Sequence, residues 1–149
     1  MFKKIVIIFL LLSLITTSIF ASPAFSIQKQ KGGIVPCLLG IFDIRMGYLA
    51  NEKQVNVDLL EVLQLVLPIL RFYYAFIGFQ NAGIEGCCIG YIGGYTTANM
   101  MKETKGRMIE WLAYVPIANI YSIVVYISET MGGKTWSEVV AKENLKRKK

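Results

Sequence analysis

Histidine is absent from this 149-residue chain, which removes the commonest general base and the commonest metal ligand together. What could still do chemistry is a set of charged residues caught inside apolar runs. Asp43, Arg45, Glu61, Arg71 and Glu110 each interrupt such a run. An unpaired charge in a hydrocarbon layer costs about 2.5–3.5 kcal/mol or more. Folding the first apolar stretch about Glu52 and Lys53 sets Arg45 level with Glu61, and an intramembrane pair there would neutralise both. Arg71, near the far end of its segment, can snorkel to an interface. In the second stretch the same folding sets Glu110 level with Asn99, beside Trp111. Such charges either satisfy one another between helices or line a path for an ion or small solute.

The remaining reactive types are Cys37, Cys87 and Cys88. An odd number cannot pair completely within the chain, and adjacent cysteines alone lack the spacing of a metal site. They read as small apolar packing residues, with a bridge from Cys37 to Cys87 or Cys88 as the sharper alternative. No nucleophile stands beside a base and no glycine-rich loop is shaped for phosphate. A non-enzymatic protein with no cofactor and no metal is the expectation.

A third pattern concerns packing. Ala82, Gly86, Gly90, Gly94 and Ala98 recur every four residues and would draw one smooth stripe along a helix. Small residues let another backbone approach closely, rewarded by dispersion and weak Cα–H bonds. The stripe predicts contact with another helix of the same chain, or homo-oligomerisation.

The elements that must position these residues come in two copies. Gly33, Ile34, Cys37 and Gly40 recur fifty residues later as Gly83, Ile84, Cys87 and Gly90, and Ala50, Asn51, Pro68 and Tyr73 recur forty-eight later as Ala98, Asn99, Pro116 and Tyr121. The repeats cover residues 33–80 and 83–130. Mean hydropathy is +0.49, above an ordinary soluble domain. Four apolar segments, 34–50, 57–79, 84–101 and 108–127, lack the strict alternation of barrel strands. At about 1.5 Å per residue the second and fourth can cross a ~30 Å hydrocarbon layer, while the first and third are marginal. Pro68 and Pro116 fall mid-segment, where neighbours in a bundle can accommodate a kink. The predicted fold is all-α: a small polytopic helical membrane protein of two related hairpins, with a short amphipathic C-terminal helix.

Outside that body, residues 1–26 have the layout of an export signal. Lys3 and Lys4 precede an apolar run and a small-residue region around Ala21, Ala24 and Ser26, predicting cleavage after Ala24 or Ser26, with an uncleaved anchor as the alternative. The tail, 132–149, begins at Gly132-Gly133. Thr135 and Glu138 fit a capping box, and Trp136, Val139 and Val140 form one apolar face ahead of a basic cluster. Such a helix can lie on anionic lipid or remain solvated. Positive loops around Lys53 and Lys105 point to the cytoplasmic side, yet four spans would put the basic tail opposite. No basic and aromatic surface suited to nucleic acid is interleaved across the chain.

Gly86-Cys87-Cys88-Ile89-Gly90, Asn99, Glu110-Trp111 and Pro116, with Thr135, Ser137, Ala141 and Lys142, resemble a family of small bacterial membrane-associated proteins of unknown function. The likeness covers mainly the second copy and the tail. It implies a bacterial origin and no activity. The expected function is that of a structural or interaction protein of the bacterial cytoplasmic membrane, inserted through its N-terminal signal, with lipid as its partner. The alternative is a small channel or transporter subunit, since repeats in membrane proteins often frame a midplane site.

Overall fold

A computed structural model describes residues 23–147. The charged start and apolar run of the expected signal lie outside the described residues, as do 148 and 149. The chain runs β1 (Pro23–Ile27), α1 (Ile34–Leu39), α2 (Met46–Glu52), β2 (Val55–Asp58), α3 (Leu59–Leu63) and α4 (Leu70–Gly93). It continues with α5 (Tyr95–Met100), α6 (Met108–Leu112), α7 (Pro116–Met131) and α8 (Trp136–Glu143). β1 and β2 pair antiparallel, with Phe25 opposite Val57 and Ile27 opposite Val55. Cleavage after Ala24 or Ser26 would therefore cut within a paired strand.

The all-α polytopic fold is corrected on two counts. A two-stranded sheet is present, and among the described residues no helix is long and apolar enough to cross a membrane. The physical reason is that each of the four apolar segments is broken. The first turns at Gly40–Ile44 between α1 and α2. The second is interrupted before Pro68, and the fourth before Pro116, which opens α7 as its first residue. The third stops at Gly94, whose φ of 115° is open to glycine and rarely to other residues. α7, at 16 residues, is about 24 Å long, short of a ~30 Å span. The expected place as a spanning protein of the cytoplasmic membrane loses its basis with the spans.

α4 has 24 residues but is not one rod. Ala82 (φ −148°, ψ 19°) and Gly83 (φ 63°, ψ −144°) reverse its direction. The two arms run antiparallel so closely that a Cβ on Gly78 would stand 1.9 Å from the Gly86 carbonyl oxygen. Only glycine at both positions permits that approach.

The duplication is visible in the order of elements. The first copy reads α1, α2, β2, α3, Pro68 and the first arm of α4; the second reads the other arm, α5, an extended stretch at Thr104, α6 and Pro116 with α7. Where β2 pairs with β1, Thr104 makes an isolated bridge with Lys146, so each extended piece is covered by one of the chain's outer segments. Two apolar clusters hold the frame. Leu39, Met46, Ala50, Val55 and Val57 form one. Tyr48, Tyr126, Trp136, Val139 and Leu145 form the other, so the apolar face of α8 docks on its own chain.

Candidate functional site

α3 and α6 are equivalent five-residue helices, and each is opened by a glutamate in its first turn. Glu61 Oε2 accepts the Asp58 N–H at 3.2 Å, and Glu110 Oε2 accepts that of Arg107 at 2.7 Å. This is the reach-back half of a capping box, and it carries both carboxylates inside. From there they do different work.

Glu110 meets Arg45, which is 0% exposed. Arg45 Nε donates to Oε1 at 2.7 Å and Nη2 to Oε2 at 2.8 Å, a bidentate fork. Its remaining donors reach Thr104 Oγ1 at 2.7 Å and the Lys105 carbonyl at 3.1 Å. The Trp136 ring lies 4.5 Å from the guanidinium carbon, close enough for a cation–π contact. The Arg45–Glu61 pair is thus replaced by Arg45–Glu110, a bond from the first copy to the second. The hairpin geometry that levelled Arg45 with Glu61 required two straight helices, and neither forms.

A second buried arginine, Arg107, went unnoticed in the sequence because it reads as loop charge. Its Nη1 donates to the Tyr48 hydroxyl at 2.8 Å, Nη2 to Glu129 Oε2 at 3.1 Å, and Nε to both Glu143 oxygens at 3.0 Å. Tyr48 also donates to Glu129 at 2.8 Å. Burial pushes the Glu129 carboxyl up, but the hydrogen bonds from Lys134 and Tyr48 and the charges of Arg107 and Lys134 together hold it below its ordinary value. α2, α7 and α8 are tied through this one guanidinium. The only advance signal was the Arg107-x-x-Glu110 spacing, whose match is Asp58-x-x-Glu61.

Glu61, also 0% exposed, turns instead to α5. Its Oε1 accepts from Thr96 N at 3.1 Å and Thr96 Oγ1 at 2.6 Å. Asp43 accepts from Thr97 N at 2.7 Å, Thr97 Oγ1 at 2.5 Å and Arg45 N at 2.9 Å. Two first-copy carboxylates therefore satisfy the orphan N–H groups that open α5. Burial pushes Asp43 up to about 6. Burial and the neighbouring Asp43 carboxylate push Glu61 up to about 8.

The stripe is distributed rather than continuous. Ala82 sits at the reversal, Gly86 and Gly90 face the first arm of α4, Gly94 lies against Asp43 and Phe42, and Ala98 touches Gly90 from α5. Its glycines are buried. Asn51 donates to the carbonyls of Thr130 (3.0 Å) and Lys134 (2.9 Å), closing the end of α7, whereas its counterpart Asn99 is exposed. Cys37, Cys87 and Cys88 are free and half-buried. Among the described residues no group of histidine, cysteine or carboxylate side chains is arranged to hold a metal.

Beside these buried polar groups, three helices turn apolar faces outward. On α7 the buried stripe is Ser122, Tyr126 and Thr130, while Ile117, Ile120, Val124, Ile127 and Met131 face outward. Ser122 donates inward to the Ile109 carbonyl at 2.7 Å and Thr130 to Tyr126 O at 2.7 Å. α1 packs beside α7, with Gly40 at its end against the Tyr126 ring and Gly47 of α2 against the Tyr126 hydroxyl, and exposes Ile34, Val35 and Leu38, with Ile41 just beyond it. The first arm of α4 exposes Phe72, Phe76 and Phe79. No Asp, Glu, Lys or Arg occurs in 72–84 or 112–128. No family model, curated protein or solved structure matches the chain.

Proposed function

We propose that this chain is a non-enzymatic interaction protein whose partner is a lipid surface, on which its described residues lie without crossing. The observation that carries the reading is the inverted polarity of α7, with hydroxyl groups turned into the protein and Ile117, 85% exposed, turned out. A helix that meets water has the opposite pattern. A second apolar helix beside it, α1, extends the same surface. Contiguous exposed apolar area beyond a few hundred Å² marks a protein or membrane contact, and exposed Trp111, Tyr114 and Tyr121 suit a lipid interface.

Charge favours lipid over a second copy. The chain carries a net +6; burial withdraws three acids, Asp43, Glu61 and Glu110, and two bases, Arg45 and Arg107, so the basic excess remains outside. Lys31, and Lys134 in its pair with Glu129, border the α1–α7 surface, where Gly33 N donates to Met131 O at 2.9 Å. Anionic headgroups attract such a rim, whereas two like-charged rims repel.

The test is flotation of the full chain with vesicles containing phosphatidylglycerol. The expected result is that the folded chain rises with the vesicles and does so less at high salt. A folded chain that stays in the aqueous layer would overturn the reading. Sedimentation would then show whether a second copy covers the apolar face.

A further inference from the structure

Between α3 and α4 five consecutive residues, 65–69, are exposed, and all are apolar: Leu65, Val66, Leu67, Pro68 and Ile69. Val66 is 77% and Ile69 71% exposed. Loops on water are normally polar, because their backbone groups need solvent as a partner. Here they do not. Leu65 N–H donates to Val62 O at 3.2 Å, Val66 to Leu63 O at 3.0 Å, and Leu67 to Leu63 O at 2.7 Å. Past Pro68, which has no N–H, Leu70 donates to Leu67 O at 3.0 Å and Arg71 to Pro68 O at 3.0 Å. Backbone N–H groups bonded within their own segment lower the cost of entering the leaflet, and carbonyls left open can face its headgroup layer.

The base of the loop is held firmly. Glu61 is locked to Asp58 and Thr96, Gln64 Nε2 donates to the Phe42 carbonyl, and Tyr74 Oη donates to Leu60 O at 2.7 Å. The tip is therefore presented rigidly, with no ordering cost deferred to binding. Arg71 follows the tip, half-buried, and forms no ion pair among the described residues. A cation at the foot of an apolar tip complements an anionic headgroup layer while the tip sits among acyl chains. In the second copy the equivalent turn is less free, since Tyr114 donates inward to Cys88 O at 2.5 Å.

From the exposed apolar loop 65–69 and Arg71 behind it, which forms no ion pair among the described residues, we infer that this loop is the point of insertion into an anionic lipid leaflet. The inference rests on the lipid reading and adds to it the penetrating element and its headgroup preference. An environment-sensitive fluorophore is attached to Val66→Cys, and separately to Glu138→Cys, in full chains also carrying Cys37→Ala, Cys87→Ala and Cys88→Ala. Vesicles contain phosphatidylglycerol and lipids brominated in the acyl chain. Quenching of the label at 66 but not at 138 is expected. In the unlabelled chain, Val66→Asp with Ile69→Asp should lower vesicle partition about tenfold or more. Arg71→Gln should lower it about fivefold on anionic vesicles alone. A floated chain whose label at 66 stays unquenched, or whose aspartate variant floats undiminished, overturns the insertion point and leaves the lipid reading standing. Failure of the unmodified, folded chain to float overturns both.

Discussion

Arg45 shows what a buried charge demands of a fold. Its guanidinium is surrounded by Glu110, Thr104, the Lys105 carbonyl and the Trp136 ring, and among the described residues no buried side-chain polar atom lacks a partner. Removing one member of a buried ion pair strands the other at about 3–5 kcal/mol. Arg45→Ala should lose stability on that scale in urea unfolding, while Arg71→Ala, at a half-buried site with no ion pair among the described residues, should change it by less than about 1 kcal/mol. Equal losses would mean the Glu110 fork carries little. Asp43 and Glu61 set a pH dependence of definite sign. Their folded values lie above the ordinary carboxylate range, at about 6 and about 8. The stability they contribute is full below the unfolded values and is lost as pH rises through the folded ones. The melting temperature should therefore fall between pH 5 and pH 8.5, by about 5 °C or more. Glu61→Gln, which carries no charge at any pH, should flatten the fall. Thermal melts across that range decide it, and they stay above the pH at which Glu129, held low by Arg107 and Lys134, would contribute with the opposite sign.

Among the elements, the two arms of α4 depend on glycine at their crossing. At Gly86 an added Cβ would meet the Gly78 carbonyl oxygen at 1.9 Å, and backbone cannot move aside as a flexible side chain can. Gly86→Ala should destabilise by about 3 kcal/mol or more, the upper end of overpacking. The same change at Gly132, where the nearest atom stands 3.0 Å away, should be far milder. Comparable unfolding midpoints for the two variants would contradict the close crossing. α8 belongs to the frame for a different reason. Thr135 Oγ1 accepts Glu138 N at 3.3 Å to start the helix, and Trp136 and Val139 then close over Tyr48 while Glu143 meets Arg107. A basic tail that looked able to lie on lipid is bound by its apolar side to its own chain.

At the scale of the whole molecule, the buried polar groups and the exposed apolar helix faces belong together. The Arg45–Glu110 pair and the Asp43 and Glu61 caps on α5 join the two copies, Arg107 ties the second copy to the tail, and the long apolar side chains of α1, α4 and α7 are left outside. The folded chain should accordingly bind the dye ANS at neutral pH without denaturant, and vesicles should displace the dye. A folded chain dark to ANS would show the surface already covered. This arrangement was only partly legible beforehand. The duplication, the glycine positions, the prolines and the capping glutamates are local features, decided by spacing and by what glycine and proline do to the backbone. From residues alone they mark the repeat and the start of α8 at Thr135; the breaks at Gly40–Ile44 and Gly94 carry no such mark, and Pro68 and Pro116 read as kinks within longer helices. Whether a proline kinks a long helix or ends it depends on what packs beside it. So does the partner of a buried charge. Arg45 lies sixteen residues from Glu61 and sixty-five from Glu110; only folding of the second copy against the first brings Glu110 within a hydrogen bond. The amino-acid sequence by itself determined two related apolar units carrying buried charge. Tertiary structure alone decided that the charges meet across the units, because such pairing is set by three-dimensional proximity and by the cost of leaving any one of them alone.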